Sequence, residues 1–286
     1  MERNTKHTLM AVAAVFIIIA VVFVGVFEAT GFSIPQTTVV ESESMQQGIG
    51  SQLGVIDTAD MVILRDKDKY PIQSFVDGYN NGYKKFGNYG DVIIYDRGPK
   101  LNPVIHRAIL WLDHNDDGTW SAPSLENYPQ DLWSCTSGYD FNSLSGVLTL
   151  KNLGYASNVT ALIPLDHIGD NNGFITMGDN NTVIDQPSSV EGVNGLVTED
   201  QIKSVAWIEV PWVGVFRMAV NDKMSIIDKE VPNTVPCLAA AILLVIFLLV
   251  GISFFFDQMY YKKYRKELVA DMNAPAPLFP VEEKEK

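Results

Sequence analysis

The stretch Val39-Val40-Glu41-Ser42-Glu43-Ser44-Met45 carries two hydroxyls two residues apart. In an extended run, side chains at i and i+2 face the same way. One serine can then serve as a nucleophile while the second hydroxyl orients it or stabilises charge. A serine hydroxyl attacks poorly until a base takes its proton. Histidine is the usual base near neutral pH, and a carboxylate on its far nitrogen fixes the tautomer and steadies the imidazolium. The chain supplies candidates of each kind: Ser44, His106 amid apolar strand residues, and Asp179 and Asp185 around the turn Gly178-Asp179-Asn180-Asn181. Each has an ordinary explanation when taken alone. Ser-x-Ser is a common polar strand edge, a histidine in an alternating apolar strand is more often core, and Asp before Asn-Asn is turn chemistry. His114 and His167 are poorer bases, since each lies in a hydrophilic turn beside Asp113 or Asp166.

The elements that must position these groups read as strands. Segments 61–64 and 91–95 are β-branched and bounded by turn residues, and 103–113 alternates, with His106 on the face of Val104, Ala108, Leu110 and Leu112. Segment 174–177 is a short strand running into the Gly-Asp-Asn-Asn turn, and 146–150 and 159–165 are further candidates. The polar stretch 65–90 reads as a long loop or insertion, and 114–170 as an elaboration of the core. Segment 205–220 is apolar and aromatic, interrupted by Pro211, and reads as strands or as a surface resting on a bilayer through Trp207, Trp212 and Phe216. No long amphipathic helix stands out between 28 and 234.

Two uncharged apolar blocks, 9–27 and 235–256, have the length of membrane-spanning helices. A cleaved signal peptide is the competing reading of the first; its length and the poor site at Phe27-Glu28-Ala29 argue against that. Arg3 and Lys6 precede the first block, and Lys262, Lys263, Arg265 and Lys266 follow the second, so both ends read as cytoplasmic. The segments are thus an N-terminus 1–8, a span 9–27, an exterior domain 28–234 with insertions near 66–89 and 113–170, a span 235–256 and a basic tail 257–286 of disordered composition toward its end. The exterior segment carries 13 Lys and Arg against 27 Asp and Glu, a net charge of −14. The whole chain, 286 residues at −13, lacks the basic patch that nucleic acid requires. Two cysteines, Cys135 and Cys237, make no disulfide framework.

Taken together and in order, the motifs resemble the type I signal peptidases, in particular their archaeal and endoplasmic-reticulum branch. Ser42-Glu43-Ser44-Met45 resembles the Ser-Gly-Ser-Met box, Asp60-Met61-Val62 the strand after it, and Gly90-Asp91-Val92-Ile93-Ile94 a second strand. Pro103-Val104-Ile105-His106-Arg107 is similar to the Pro-x-x-His-Arg box, and 174–185 to the Thr-x-Gly-Asp-Asn-Asn box with its later aspartate. The match covers roughly 31–112 and 171–220, with gaps. It implies a mainly β exterior domain of the signal-peptidase/LexA-like fold with insertions, plus two transmembrane helices. It further implies a serine endopeptidase that removes signal peptides from exported preproteins at the exterior face of the cell membrane. Ser44 would be nucleophile and His106 general base, with Asp185 favoured as its partner and Asp179 supporting. Ser42 and the Ser44 amide would serve the oxyanion, and neither metal nor cofactor is expected. Expected partners are signal peptides and membrane lipid, with the translocation channel as a candidate. Two departures stand out: Glu43 replaces the glycine of the box, and Gln46-Gln47 the usual acidic-Pro pair.

Other signals are weaker. Asp113-His114-Asn115-Asp116-Asp117-Gly118 matches half a calcium loop, but Ser124 occupies the position that needs a bidentate carboxylate, so a turn is the default. Asn158-Val159-Thr160 and Asn180-Asn181-Thr182 are glycosylation sequons. The alternative of another class is a non-enzymatic two-pass protein whose exterior β-domain binds a partner. Hydrogen-bond reach between Ser44 and His106 separates the two.

Overall fold

The computed structural model describes residues 21, 24–26, 28–30, 36–187 and 189–272. The expected first span, 9–27, lies outside these residues except at 21 and 24–26, and the tail beyond 272 lies outside them too. The chain divides into two units, Met1–Val235 and Pro236–Lys286.

The first unit is mainly β. In chain order its strands are β1 (Thr37–Val39), β2 (Met61–Arg65), the hairpin β3 (Lys84–Lys85) and β4 (Asn88–Tyr89), β5 (Val92–Tyr95), β6 (Val104–His114) and β7 (Trp120–Ser121). There follow β8 (Trp133–Cys135), β9 (Val147–Leu153), β10 (Val159–Pro164), β11 (Gly173–Met177) and β12 (Ile202–Val210). Among the described residues, the main sheet runs β1-β2-β12-β5-β6-β11, with β7 added to the far end of β6, and every pairing is antiparallel. A second sheet, β10-β9-β8, is built from the 114–170 elaboration and packs its leucines into the largest core cluster.

β6 is the central positioning element, paired to β5 on one side and β11 on the other. Successive residues of a strand face opposite ways. His106 therefore shares a face with Ile93, its partner on β5, whereas Arg107, opposite Val92, faces the other way.

Two expectations about local structure change. The stretch 65–90 is not simply a surface loop: it holds helix α1 (Phe75–Asn81), started by a capping box in which Ser74 and Asp77 satisfy each other's backbone amides. Phe75 and Val76 at its start are buried in the main core. The end of 205–220 is not strand but helix α2 (Val215–Val220). The chain leaves β12 through Trp212, which has a left-handed backbone (φ +65°), and Gly214, where a Cβ would come within 2.6 Å of the Ala59 carbonyl oxygen. Val215 and Met218, three apart, then face inward as one helical stripe. Helix α3 (Met224–Glu230) follows.

Helix α4 (Thr234–Met272) carries the chain out of the first unit. Its part Thr234–Lys266 is, among the described residues, the one helix long and apolar enough to cross a membrane, and side chains such as Leu243 and Phe247 are exposed along it.

Candidate active site

Ser44 lies in a 3-10 turn, Glu43–Met45, and not in the extended run that its spacing suggests. Tertiary bonds fold it this way: the Asn180 amide donates to the Ser44 carbonyl at 2.9 Å, and the Asn180 side chain to the Glu43 carbonyl at 3.1 Å. The turn also accounts for Glu43. It does not have a positive φ, so a glycine's freedom is not needed there. The two hydroxyls still meet, with Ser42 Oγ 3.3 Å from Ser44 Oγ. Ser42 occupies the N-cap position, but its side chain accepts no capping bond from the turn's amides, and its hydroxyl is turned to Ser44.

His106 Nε2 lies 3.0 Å from Ser44 Oγ, and its Nδ1 lies 2.7 Å from Asp185 Oδ2. A carboxylate has no hydrogen to give, so Nδ1 carries the hydrogen and Nε2 presents its lone pair to the serine. His106 is 4% exposed and Asp185 fully buried, so this chain of bonds runs from solvent at Ser44 into the sheet. Asp185 Oδ2 also accepts from the Tyr95 and Thr176 hydroxyls, at 2.7 Å each. Burial and the Asp185 carboxylate push the Tyr95 phenol up, which keeps it a donor. Asp185 Oδ1 is buried without a partner. The carboxylate is thus fixed through one oxygen by three donors from β5, β6 and β11.

Asp179 sits elsewhere. Arg107 grips it with both arms, Nε to Oδ1 and Nη2 to Oδ2, each at 2.6 Å. Arg107 also donates through Nη1 to the carbonyls of Gly90, Tyr89 and Lys85. Gln47 Nε2 donates to Asp179 Oδ2 at 2.9 Å and to the Phe86 carbonyl at 2.7 Å. The two aspartates therefore have separate duties: Asp185 meets the histidine, while Asp179 pins the turn and, through Gln47, the loop after Ser44. Gly178 is where turn and serine approach, since a Cβ there would lie 2.5 Å from the Ser44 carbonyl oxygen and 3.0 Å from His106 Nε2.

Tyr95, Thr176, Arg107 and Gln47 do not stand out as a set in the sequence. Tyr95 and Thr176 share the His106 face of neighbouring strands, so the signal for them is β register, which a single chain does not display. The same holds for a second cluster: Asp57, Asp60 and Glu209, of which both aspartates are fully buried. Asp60 accepts from the Asp57 and Trp212 amides at 2.8 and 2.9 Å, Asp57 from the Gln52 amide, and Glu209 from the Gly54 amide at 2.8 Å. Asp57 Oδ1 and Glu209 Oε1 have no partner. Desolvation pushes the Asp60 carboxyl up to about 8 and that of Glu209 up to about 7.

Both acids hold their protons to higher pH folded than unfolded. The folded state therefore binds more protons, and stability falls as pH rises from the ordinary carboxylate range toward about 8. Glu209→Gln keeps an acceptor for Gly54 and cannot ionise. Near pH 8 it should be more stable than the parent by about 1 kcal/mol, a value reduced for the partial exposure of Glu209, and near pH 4 it should not. Denaturant titrations at the two pH values check this; equal gains at both would contradict it.

Among the described residues, no group of His, Cys, Asp and Glu is placed to hold a metal ion. The 113–118 stretch is a hydrogen-bonded turn, with Asp117 accepting from Thr119 and Asn115 donating to Thr119 and the Asn142 carbonyl. No protein-family model matches the chain, and no curated protein matches its sequence.

Proposed function

We propose that this chain is a membrane-bound serine endopeptidase that removes signal peptides from exported preproteins, with Ser44 as nucleophile, His106 as general base and Asp185 as its partner. The observation that carries the reading is the unbroken chain Ser44 Oγ to His106 Nε2 to Asp185 Oδ2, at 3.0 and 2.7 Å. A binding domain has no need of a histidine held in one tautomer against a serine, so this geometry favours the enzyme over the non-enzymatic alternative. The order of the boxes in the sequence supports the same family.

In the reaction, Ser44 Oγ adds to the scissile carbonyl carbon while His106 Nε2 takes its proton. The carbonyl oxygen becomes an oxyanion, for which the Ser42 hydroxyl and the Ser44 amide are the candidate donors. Collapse breaks the C–N bond, and His106 returns its proton to the departing amine. Water, deprotonated by His106, then cleaves the acyl-serine and restores the enzyme. Throughout, Asp185 holds the imidazole and stabilises its cationic form.

The membrane supplies the substrate class. A signal peptide enters the bilayer as an apolar helix, and its cleavage site emerges at the surface. In this topology 28–234 lies outside and both ends lie in the cytoplasm. The short leader between 27 and Ser44 keeps the nucleophile at that depth. Exposed Ile49, Leu53 and Phe216 would meet the headgroup region.

The test uses the full chain in detergent, a preprotein with small side chains before the cleavage site, and an alkyl fluorophosphonate. Cleavage at that site, with phosphonylation mapped to Ser44 by mass spectrometry, is the expected result. Several preproteins left uncut, with no adduct on Ser44, would remove the proposal.

A further inference from the structure

The segment that follows β12 brackets the stretch 41–51 on both flanks of Ser44. Upstream, Lys223 Nζ reaches Glu41 at 2.5 Å and Arg217 approaches the same carboxylate at 3.7 Å. Beside the serine, the Glu230 side chain pushes the Glu43 carboxyl up from its ordinary value. Downstream, Gln46 Nε2 donates to the Glu230 carbonyl at 2.9 Å. Asn233 then takes both backbone groups of Ser51: the Ser51 amide donates to Asn233 Oδ1 at 2.7 Å, and Asn233 Nδ2 donates to the Ser51 carbonyl at 2.9 Å.

These contacts are unequal. The ion pairs at Glu41 are partly exposed, and such pairs contribute little. The Asn233–Ser51 pair is reciprocal, neutral and half-buried, and it replaces a strand partner for a residue that has none. It also acts where the backbone most needs fixing. Gly48 and Gly50 have φ of +122° and +81°, and Ile49 between them is almost fully exposed; within the loop the Gln46 side chain donates to the Gly48 carbonyl and the Gln52 side chain to the Gln47 carbonyl. A Cβ at Gly50 would come within 2.7 Å of Asn233 Oδ1, so the backbone is pressed against this side chain. Asn233 is also the last residue before α4.

We infer that Asn233 is a positioning residue for the nucleophile: by closing the Ser51 backbone it fixes the loop that carries Ser44, and it does so from the residue at which the chain enters its apolar helix. The catalytic half of this statement rests on the proposed role of Ser44; the structural half does not. Gln46 is held by Glu230 and Ser51 by Asn233, so the stretch that leaves the Ser44 turn is held at both ends.

The experiment compares the full chain with Asn233→Ala in detergent, reading amide hydrogen exchange over 44–52 together with kcat and KM for preprotein cleavage. Exchange in this stretch should rise about tenfold as the paired bonds are lost. kcat should fall about 10- to 100-fold from misplacement of the nucleophile, with KM nearly unchanged. If Asn233→Ala does not fold, the isosteric Asn233→Asp removes the donor to the Ser51 carbonyl and is read in the same way. Unchanged exchange overturns the tether whatever the activity, and raised exchange with unchanged kcat overturns the positioning role. A parent chain that cleaves nothing while the variant still exchanges faster would refute the peptidase reading and leave the tether standing.

Discussion

Ser44→Ala and His106→Ala should each lower kcat for preprotein cleavage by about 10⁶-fold, and Asp185→Asn by about 10⁴-fold, with fold and KM largely kept. On the proposed mechanism, the first two remove the nucleophile and the base from a unit in which either is useless without the other. The third is more informative. Asp185 Oδ2 receives His106 Nδ1, Tyr95 and Thr176 together, and Oδ1 receives nothing. An asparagine can keep all three donors only by placing its carbonyl oxygen at the Oδ2 position and its amide nitrogen where Oδ1 now sits. The site then survives in shape but lacks the charge that stabilises the imidazolium. If the amide turns round, its nitrogen donates to the ring, His106 takes the other tautomer and Nε2 can no longer accept from Ser44. Both outcomes suppress turnover and spare the fold.

Asp179→Asn is the control for this argument. Asp179 does not touch His106, and its carboxylate serves Arg107 and Gln47. Per folded molecule, its kcat should stay within about tenfold of the parent, since only positioning is disturbed. Initial rates over a range of preprotein concentrations, normalised to the folded fraction by circular dichroism, give the comparison. Equal losses in the two variants would mean that the division between the aspartates is wrong.

Much of this arrangement was legible because strands announce themselves by pattern. β6 alternates, β5 and β11 are compact β-branched runs, and each ends at a turn, so the face carrying His106 followed from counting by twos. Failures occurred where a tertiary contact decides the backbone. The Ser44 turn is curled by Asn180, more than 130 residues away, and nothing local in Ser42-Glu43-Ser44 demands it. Helix α2 reads as strand because Val215, Phe216 and Met218 are apolar in either period; the strand itself stops at Val210, before Pro211 and the left-handed Trp212, and the close approach of Gly214 to Ala59 belongs to the turn that leads into the helix. Helix α1 has a local signal, since Ser74-Phe75-Val76-Asp77 is a capping-box pattern enclosing two apolar residues that the core buries. The buried acids near Asp60 were hidden for a different reason, as Glu209 joins them only through the pairing of β12 with β2.

Arg107→Met should destabilise the domain by about 3–5 kcal/mol, a large part of the ~5–15 kcal/mol that holds a typical domain folded. Arg107 is fully buried and Asp179 nearly so. Without the guanidinium, a carboxylate is left inside the protein with Gln47 as its remaining side-chain donor, and the Gly90 and Tyr89 carbonyls lose theirs. Methionine fills much of the volume and supplies no donor, so the loss measures the electrostatics and not a cavity. Arg107→Lys should recover only part of it, because one ammonium cannot reproduce two parallel bonds to Asp179 and a third arm to the backbone. The double variant Arg107→Met/Asp179→Leu separates the terms. It removes the orphaned charge and should regain part of the loss, while the carbonyls of the 85–90 stretch remain unpaired and keep it below the parent. Denaturant titration of the full chain in detergent reads all three. A double variant no more stable than Arg107→Met would show that the backbone carbonyls, and not the buried carboxylate, are what Arg107 is there to satisfy.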